Sequence, residues 1–315
     1  MTIKSELSVW NMPTGDDLAD NVSFMDIYTG GEVIYVSSTH PLTSNSNPGT
    51  FARPVSSLAQ AMNMVTANVG DMIVLMPNHA ETITGVGGLA FDVAGVTVLG
   101  MGTGKQRPRF LMDGADTVTA AVTAADTRIV NVEFAAGHAD VTQCFDVQAT
   151  GFTLERCVFT DNVAGENFLN IVLSGTATDN VADDIALIGN RWYSPDAAAL
   201  SFWEHTGDVR RAMVVGNNVH TAGTGATAAF IFSTSGDDLN DATIAFNTYR
   251  CETTGDNSFI ENDTTANTGM IAWNVALALD ADAAVPLDAD GLAYMQNFYS
   301  GDIAASGLLL PAADS

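Results

Sequence analysis

The sequence has 315 residues, 47% of them hydrophobic, enough to bury a large core in one large or two ordinary domains. Against 37 acidic residues stand 11 lysines and arginines, a formal net charge of −26. That balance argues against a nucleic-acid or anionic-membrane partner, because phosphate binding needs cations. It fits a soluble surface kept apart by like-charge repulsion, and a salty habitat would leave the same signature.

In chain order, residues 1–30 read as an extended N-terminal arm. Trp10, Met12, Phe24, Met25 and Tyr28 are large apolar groups in an otherwise polar stretch. They are candidates for docking or for clasping a subunit, since aromatic anchors dominate interfaces; a flexible leader, or an arm lying on its own body, fits them equally well. The opening "MTIKSELSVWNMPTGDD" lacks the apolar run of a signal peptide, and no stretch of about 18 apolar residues exists to span a membrane. The expectation is a chain made and used without export. Next, "PVSSLAQAMNMVTAN" (54–68) carries a helical pattern, with Leu58, Ala61, Met62 and Val65 on one face and Ser56 or Ser57 as N-cap. A helix is predicted near 55–67.

From about residue 96 onward, short apolar strands ending in turn residues recur: "VTVLGMG", "RIVNVEF", "FTLERCVF", "IALIGNRWY", "AMVVGNNVH", "ATIAFNTYR", "GMIAWNVAL" and "LAYMQNFYS". Aligned, they place Gly100, Asn131, Cys157, Asn190, Asn217, Asn247, Asn274 and Asn297 in one register, at steps of 23 to 33 residues. A second series upstream contributes Phe91, Phe145, Phe168, Phe202, Phe230 and Phe259. Between the two lie Gly, Asp, Thr and Ala stretches of variable length, which read as loops. A repeat of this size, made of strands, predicts an all-β, single-stranded parallel β-solenoid over 31–300, because one coil cannot bury its own inner face and must stack on the next. About ten coils at roughly 4.8 Å per strand give a rod on the order of 45 Å long, and the crossover preference predicts a right-handed one. Stacking in register places the phenylalanines in one internal column. It makes Asn131, Asn190, Asn217, Asn247, Asn274 and Asn297 a structural ladder at a bend, where Asn tolerates left-handed backbone and its amide bonds to the amides above and below. The helix near 55–67 then serves as the N-terminal cap and 301–315 as the closing tail.

The stretch "GEVIYVSSTHPLTSNSNPGTFARPVSSLAQAM…GDMIVLMPNHAETI" resembles the opening of the pectate-lyase-like right-handed parallel β-helix superfamily. Its matching parts are the strand Ile34–Val36, the turn Asn47–Thr50, the helix, Gly70–Asp71, the strand Ile73–Met76 and Pro77. With the coils counted, the resemblance covers about residues 31–300. It implies a fold rather than a reaction.

No cofactor and no metal is expected. Cys144, Cys157 and Cys251 show no CxxC spacing and read as buried free thiols. His40, His79, His138, His205 and His220 have no metal-ligand spacing, and His79 reads as structural. "TSGDDLND" (234–241) holds hard oxygen ligands that would suit calcium, but a solvated turn is the preferred reading. "GMGTGKQR" (100–107) lacks the spacing and the following helix of a phosphate loop. Asp92 and Asp146 follow equivalent phenylalanines and are expected on one face. Glu204 and Glu261 each follow a Phe by two, and "FWEH" (202–205) groups Trp203, Glu204 and His205 as a sugar subsite would. These acids are candidates for two-carboxylate chemistry, but alternate strand positions face outward in any case, so no catalytic residue is assigned. With the arm, the acidity and the absence of an export signal, the chain resembles β-helix virion proteins of tailed bacteriophages. That resemblance implies a capsid decoration (cement) protein on the outer head, assembled in the host cytoplasm, binding the major capsid protein and itself as a homotrimer. A tailspike or fibre that binds or cleaves host surface polysaccharide is the alternative.

Overall fold

The computed structural model of the chain describes residues 30–175, 178–223, 228–233, 236–251, 257–262, 266–279, 287–288, 291–301 and 306–309. Trp10, Met12, Phe24, Met25 and Tyr28 lie outside the described residues.

The architecture is an all-β parallel solenoid with three faces. A first sheet of ten strands runs from Val33–Val36 and Met72–Leu75 to Gly269–Ala272 and Ala293–Met295. A second, also of ten strands, runs from Ala80–Thr84 and Arg109–Asp113 to Val275–Leu279, Asn297–Gly301 and finally Ser306–Leu309. A third, of eight strands, runs from Leu89–Phe91 and Ala120–Val122 to Asn257–Glu261 and Leu287–Asp288. About seven turns carry a strand of three or more residues on every face, with partial turns at either end; the repeat alone had suggested about ten. The last strand, Ser306–Leu309, folds back antiparallel onto Asn297–Gly301.

The helix is shorter than its pattern predicts, running only over Leu58–Met62. Ser57 caps it, its side chain accepting from the Gln60 N–H, and Leu58, Ala61 and Met62 are buried. It stops where the sequence offers the backbone other partners. The Asn63 amide donates to the Ala59 carbonyl at 3.0 Å and Asp71 Oδ2 takes the Thr66 N–H at 2.7 Å, in a stretch whose β-branched Val65 and Thr66 already disfavour helix.

The interior is built from ladders of like residues. Ile34, Ile73, Val98, Ile129, Leu154, Leu187, Val214, Ile244 and Ile271 are register partners down the first sheet. Down the second sheet run Phe110, Phe134, Phe159, Trp192, Val219 and Tyr249. The rings of Phe110, Phe134 and Phe159 stack at 5.6 and 5.7 Å. Each such buried side chain contributes roughly 1.5–3 kcal/mol.

The predicted single column of phenylalanines is corrected. Phe202, Phe230 and Phe259 do stack, at 5.4 and 5.1 Å with planes 4° apart. Phe145 belongs to a neighbouring row with Val172, Trp203, Ile231 and Ile260. Phe91 is level with Val122 and Val147, and Phe168 with Val141. The loops before these strands differ in length, so equal sequence context does not mean equal position along the strand.

Candidate functional site

Four places on the rod gather polar chemistry: the corner between the first and second sheets, the outer row of the third sheet, the turns after the third sheet, and the outer face of the second.

From residue 131 on, the corner has two residues in each turn. The first is left-handed: Arg156, Gly189, Gly216, Phe246, Trp273 and Gln296 all have φ between 48 and 69°. The second points inward, and from Asn190 on it is asparagine. Asn217 Oδ1 accepts from both the backbone N–H and the side-chain amide of Asn190, at 2.9 and 3.1 Å. The pattern repeats from Asn217 to Asn247, from Asn247 to Asn274 and from Asn274 to Asn297. Each amide also donates to a carbonyl of the turn before, as Asn247 does to Val214 at 2.8 Å. Cys157 takes a rung because its backbone N–H suffices to reach Asn190 Oδ1, at 2.9 Å.

Asn131 is not a rung. Register pairs it with Arg156, one residue before Cys157, so it holds the left-handed position, at φ 57°, and Val132 points inward. Its amide instead donates to the carbonyls of Gly100 and Gly102, at 2.7 and 2.9 Å, while its Oδ1 accepts from Arg107 Nε at 3.0 Å. The bend geometry expected of the ladder asparagines therefore belongs to the residue before each of them. Two aromatics accept that backbone: Phe246 and Trp273, 59% and 37% exposed, stack at 5.0 Å with planes 11° apart.

On the third sheet the outward row is Asp146, Leu173, Glu204, Phe232 and Glu261. Asp92 is not level with Asp146, whose partner is Ala121. Glu204 and Glu261 stand two strands apart, roughly 10 Å, with Phe232 between them. Burial raises the Glu204 carboxyl above its usual range, and Glu261 accepts from Ser258 Oγ at 2.6 Å. Trp203 and His205 do not join Glu204 at the surface. Both are fully buried; the Trp203 indole donates to Ser174 Oγ at 2.9 Å, and burial lowers His205 to about 4. His79 is buried as well, accepting from the Ser38 N–H at 3.0 Å and lying 2.8 Å from Glu81.

In the turns after the third sheet, the carboxylates of Asp179, Asp208 and Asp237 lie within 4.8 Å of one another, the group among the described residues best able to hold a metal. Two of them already serve the turns: Asp179 Oδ1 accepts from the Asp208 N–H at 3.3 Å, and Asp208 Oδ1 from the Asp238 N–H at 2.8 Å. The three thiols are buried and none of them forms a disulfide, and burial pushes Cys157 up to about 12.

The outer face of the second sheet was not singled out by sequence. Glu133, Val158, Thr160, Arg191, Tyr193, Asn218 and His220 form its floor, alternating with the buried ladder, and Gly104, Lys105 and Arg107 wall it. The cavity measures about 520 Å³. A second, of about 310 Å³, continues past the same wall to Arg109, Asn78 and Ala80. Four of the chain's 11 lysines and arginines line this groove, against one of its 37 acids, Glu133. Glu133 Oε1 lies 3.1 Å from Arg109 Nε, an ion pair without hydrogen-bond geometry. Tyr193 is 52% exposed and meets His220 edge-on at 5.2 Å. At the end of the strand that carries Val158 and Thr160, burial pushes Asp161 up to about 6, with Ser194 Oγ donating to it at 2.8 Å. Mapping the few cations onto the strand register would have found Arg191; Lys105 and Arg107 sit in an irregular turn that no register reaches.

No protein-family model and no curated protein sequence matches this chain. Among solved structures it is similar to a rhamnogalacturonan lyase, at 13% identity and a TM-score of 0.46 over 78% of this chain and 74% of that one. It is also similar to a GH136 lacto-N-biosidase from Eubacterium ramulus, at 12% identity and a TM-score of 0.45 over 79% of this chain and 60% of that one. Likeness at this level carries nothing about substrate or reaction; it is the strand pairing that fits a pectate-lyase-like parallel β-helix. Among the described residues no helix is long and apolar enough to cross a membrane.

Proposed function

We propose that the chain is a non-catalytic, adhesive β-solenoid and, within that class, a structural virion protein of a tailed bacteriophage: a capsid decoration (cement) protein on the outer head. The observation that carries this reading is the corner ladder. The recurring buried amides, the residues that most invite a chemical role, are bonded to one another and to backbone, and so serve the scaffold. The "FWEH" group supports it further, since Trp203 and His205 face inward and leave Glu204 alone. In this proposal the arm, through Trp10, Met12, Phe24, Met25 and Tyr28, docks on the major capsid protein. The rods associate as a homotrimer, the short helix covers the first coil of a right-handed rod, and the acidic exterior keeps clear of packaged DNA.

Copy number and location in purified particles test the proposal. Many copies on the head, with particles that burst at lower temperature when the protein is missing, are expected; a few copies at the tail tip would sink it. A tailspike or fibre is the second reading, and the groove on the second sheet is the observation that favours it. It predicts release of reducing sugars or unsaturated uronides from host polysaccharide.

A further inference from the structure

We infer that the groove on the outer face of the second sheet is a binding site for an anionic glycan, a saccharide chain carrying sulfate or carboxylate groups. Charge distribution is the first argument. A chain of net charge −26 places its cations sparingly, and most of the arginines with ion-pair partners stand on other surfaces: Arg128 and Arg156 with Glu155, and Arg211 with Asp183 and Asp184. Lys105 and Arg191 have no carboxylate within ion-pairing distance among the described residues, yet both line the same cavity with Arg107. The one carboxylate in the groove, Glu133, is paired with Arg109, so a counter-charge for Lys105 and Arg191 must come from outside, and an oxyanion in the cavity would supply it.

Shape is the second argument. The larger cavity has the size of a ligand pocket, and it continues into the smaller one along the rod. From Ala80 through Arg109, Glu133, Val158 and Arg191 to Asn218 there are five inter-strand steps, on the order of 24 Å. The site is an extended track, suited to a linear chain. The wall is also held in place, because Asn131 binds the carbonyls of Gly100 and Gly102 and the guanidinium of Arg107 together.

The side chains between the cations select the ligand class. Tyr193 offers a ring face for the apolar C–H face of a sugar, and its hydroxyl, with Asn218 and Thr160, offers hydrogen bonds to hydroxyls. An acidic peptide would use the cations but would not need Tyr193.

This inference goes beyond the decoration reading and does not rest on it: particle location tests that reading, and glycan binding by the purified chain tests this one. The probes are a heparin hexasaccharide, an oligogalacturonate hexamer, a neutral maltohexaose and an oligoglutamate peptide, measured by calorimetry in buffer at physiological salt. Saturable binding of at least one anionic saccharide is expected, with maltohexaose at least tenfold weaker. Preference between the heparin and galacturonate arms identifies sulfate or carboxylate as the charged group. The double variant Lys105→Glu/Arg191→Glu, both at exposed positions, should lose tenfold or more in affinity with an unchanged melting temperature, and Tyr193→Ala should weaken the saccharide but leave oligoglutamate unaffected. No binding of either anionic saccharide overturns the inference. So does binding that ignores the charge reversal, or oligoglutamate binding as strong as the saccharide's with Tyr193→Ala silent on both.

Discussion

The corner between the first and second sheets and the passage from the third sheet back to the first solve the same problem in opposite ways. From residue 156 on, each turn of the corner uses two residues, one left-handed and one inward, and the inward one bonds its counterparts in the neighbouring turns. The passage is 148–152 in one turn and 175–185 in the next, and there carboxylates link successive turns as acceptors only, Asp179 taking the Asp208 N–H and Asp208 the Asp238 N–H. Where length is fixed, a side chain can be satisfied by its own repeat. Where length varies, the links between turns are single, because a carboxylate accepts from the next turn but has no proton to pass on. The corner is therefore expected to carry stability, and the passage to accept change.

The severest test is Asn247→Leu. It strands the Asn217 N–H in the interior, at about 1–3 kcal/mol for a buried group left unpaired, and removes the amide's bonds to the Val214 carbonyl, to Asn217 and to Asn274 besides. A loss of about 3 kcal/mol or more is expected in urea unfolding; a loss below about 1 kcal/mol would mean the ladder is ornamental. His205, at the start of the passage, comes next. Its folded pKa is lowered to about 4 by burial, below the ordinary value of about 6.5, so the unfolded chain takes up the proton first. Stability is whole above pH 6.5 and drains as pH falls towards 4, by about 3 kcal/mol in total. Unfolding of the wild type and of His205→Gln at pH 7 and pH 4.5 should show the difference between them shifting in favour of the variant at the lower pH. Phe246→Gly sets two smaller effects against each other. It relieves a left-handed aromatic, about 1–2 kcal/mol, and removes the stack on Trp273 together with backbone restraint, about 1–2 kcal/mol; a net change within about 1 kcal/mol is expected from thermal melts. Asp208→Asn keeps an acceptor in the passage and should change stability by less than about 0.5 kcal/mol, with millimolar calcium leaving the melting temperature of the parent unchanged. A rise with calcium that Asp208→Asn abolishes would show that the carboxylates act as a site rather than as turn closures.

The fold was legible because the corner repeats at constant length. "GNRWY", "GNNVH", "FNTYR" and "WNVAL" each place a left-handed residue, an inward amide and an alternating strand in fixed order, and that order reports stacking directly. The same motif misled at Asn131. In "VNVEF" the amide falls one residue early, and only the aromatic ladder corrects it: Phe134, Phe159 and Trp192 each follow the inward corner residue by two, which makes Val132 the counterpart of Cys157 and Asn190. Phe91, Phe145 and Phe168 escaped for a related reason, since the loops from the second sheet to the third vary in length and spacing no longer measures position along the strand. The groove was illegible as a unit. Its floor comes from outward positions of several turns and its wall from "GTGKQR", an irregular loop whose place over the sheet depends on the Asn131 amide.

The ladder also has a direction. Every inter-rung bond runs from the amide and backbone N–H of one turn into the oxygen of the following one, so neighbouring dipoles point the same way and polarise one another. A turn is complete at this corner only when its successor has arrived to accept from it, while its own oxygen is ready to receive from its predecessor. The rod is thus modular with polarity. A duplicate of the segment from Asn217 to Phe246, inserted before Asn247, would meet an acceptor and a donor in the right places, whereas the same sequence inserted in reverse order would meet neither. Lengthening by whole turns is the kind of change to which this architecture offers least resistance.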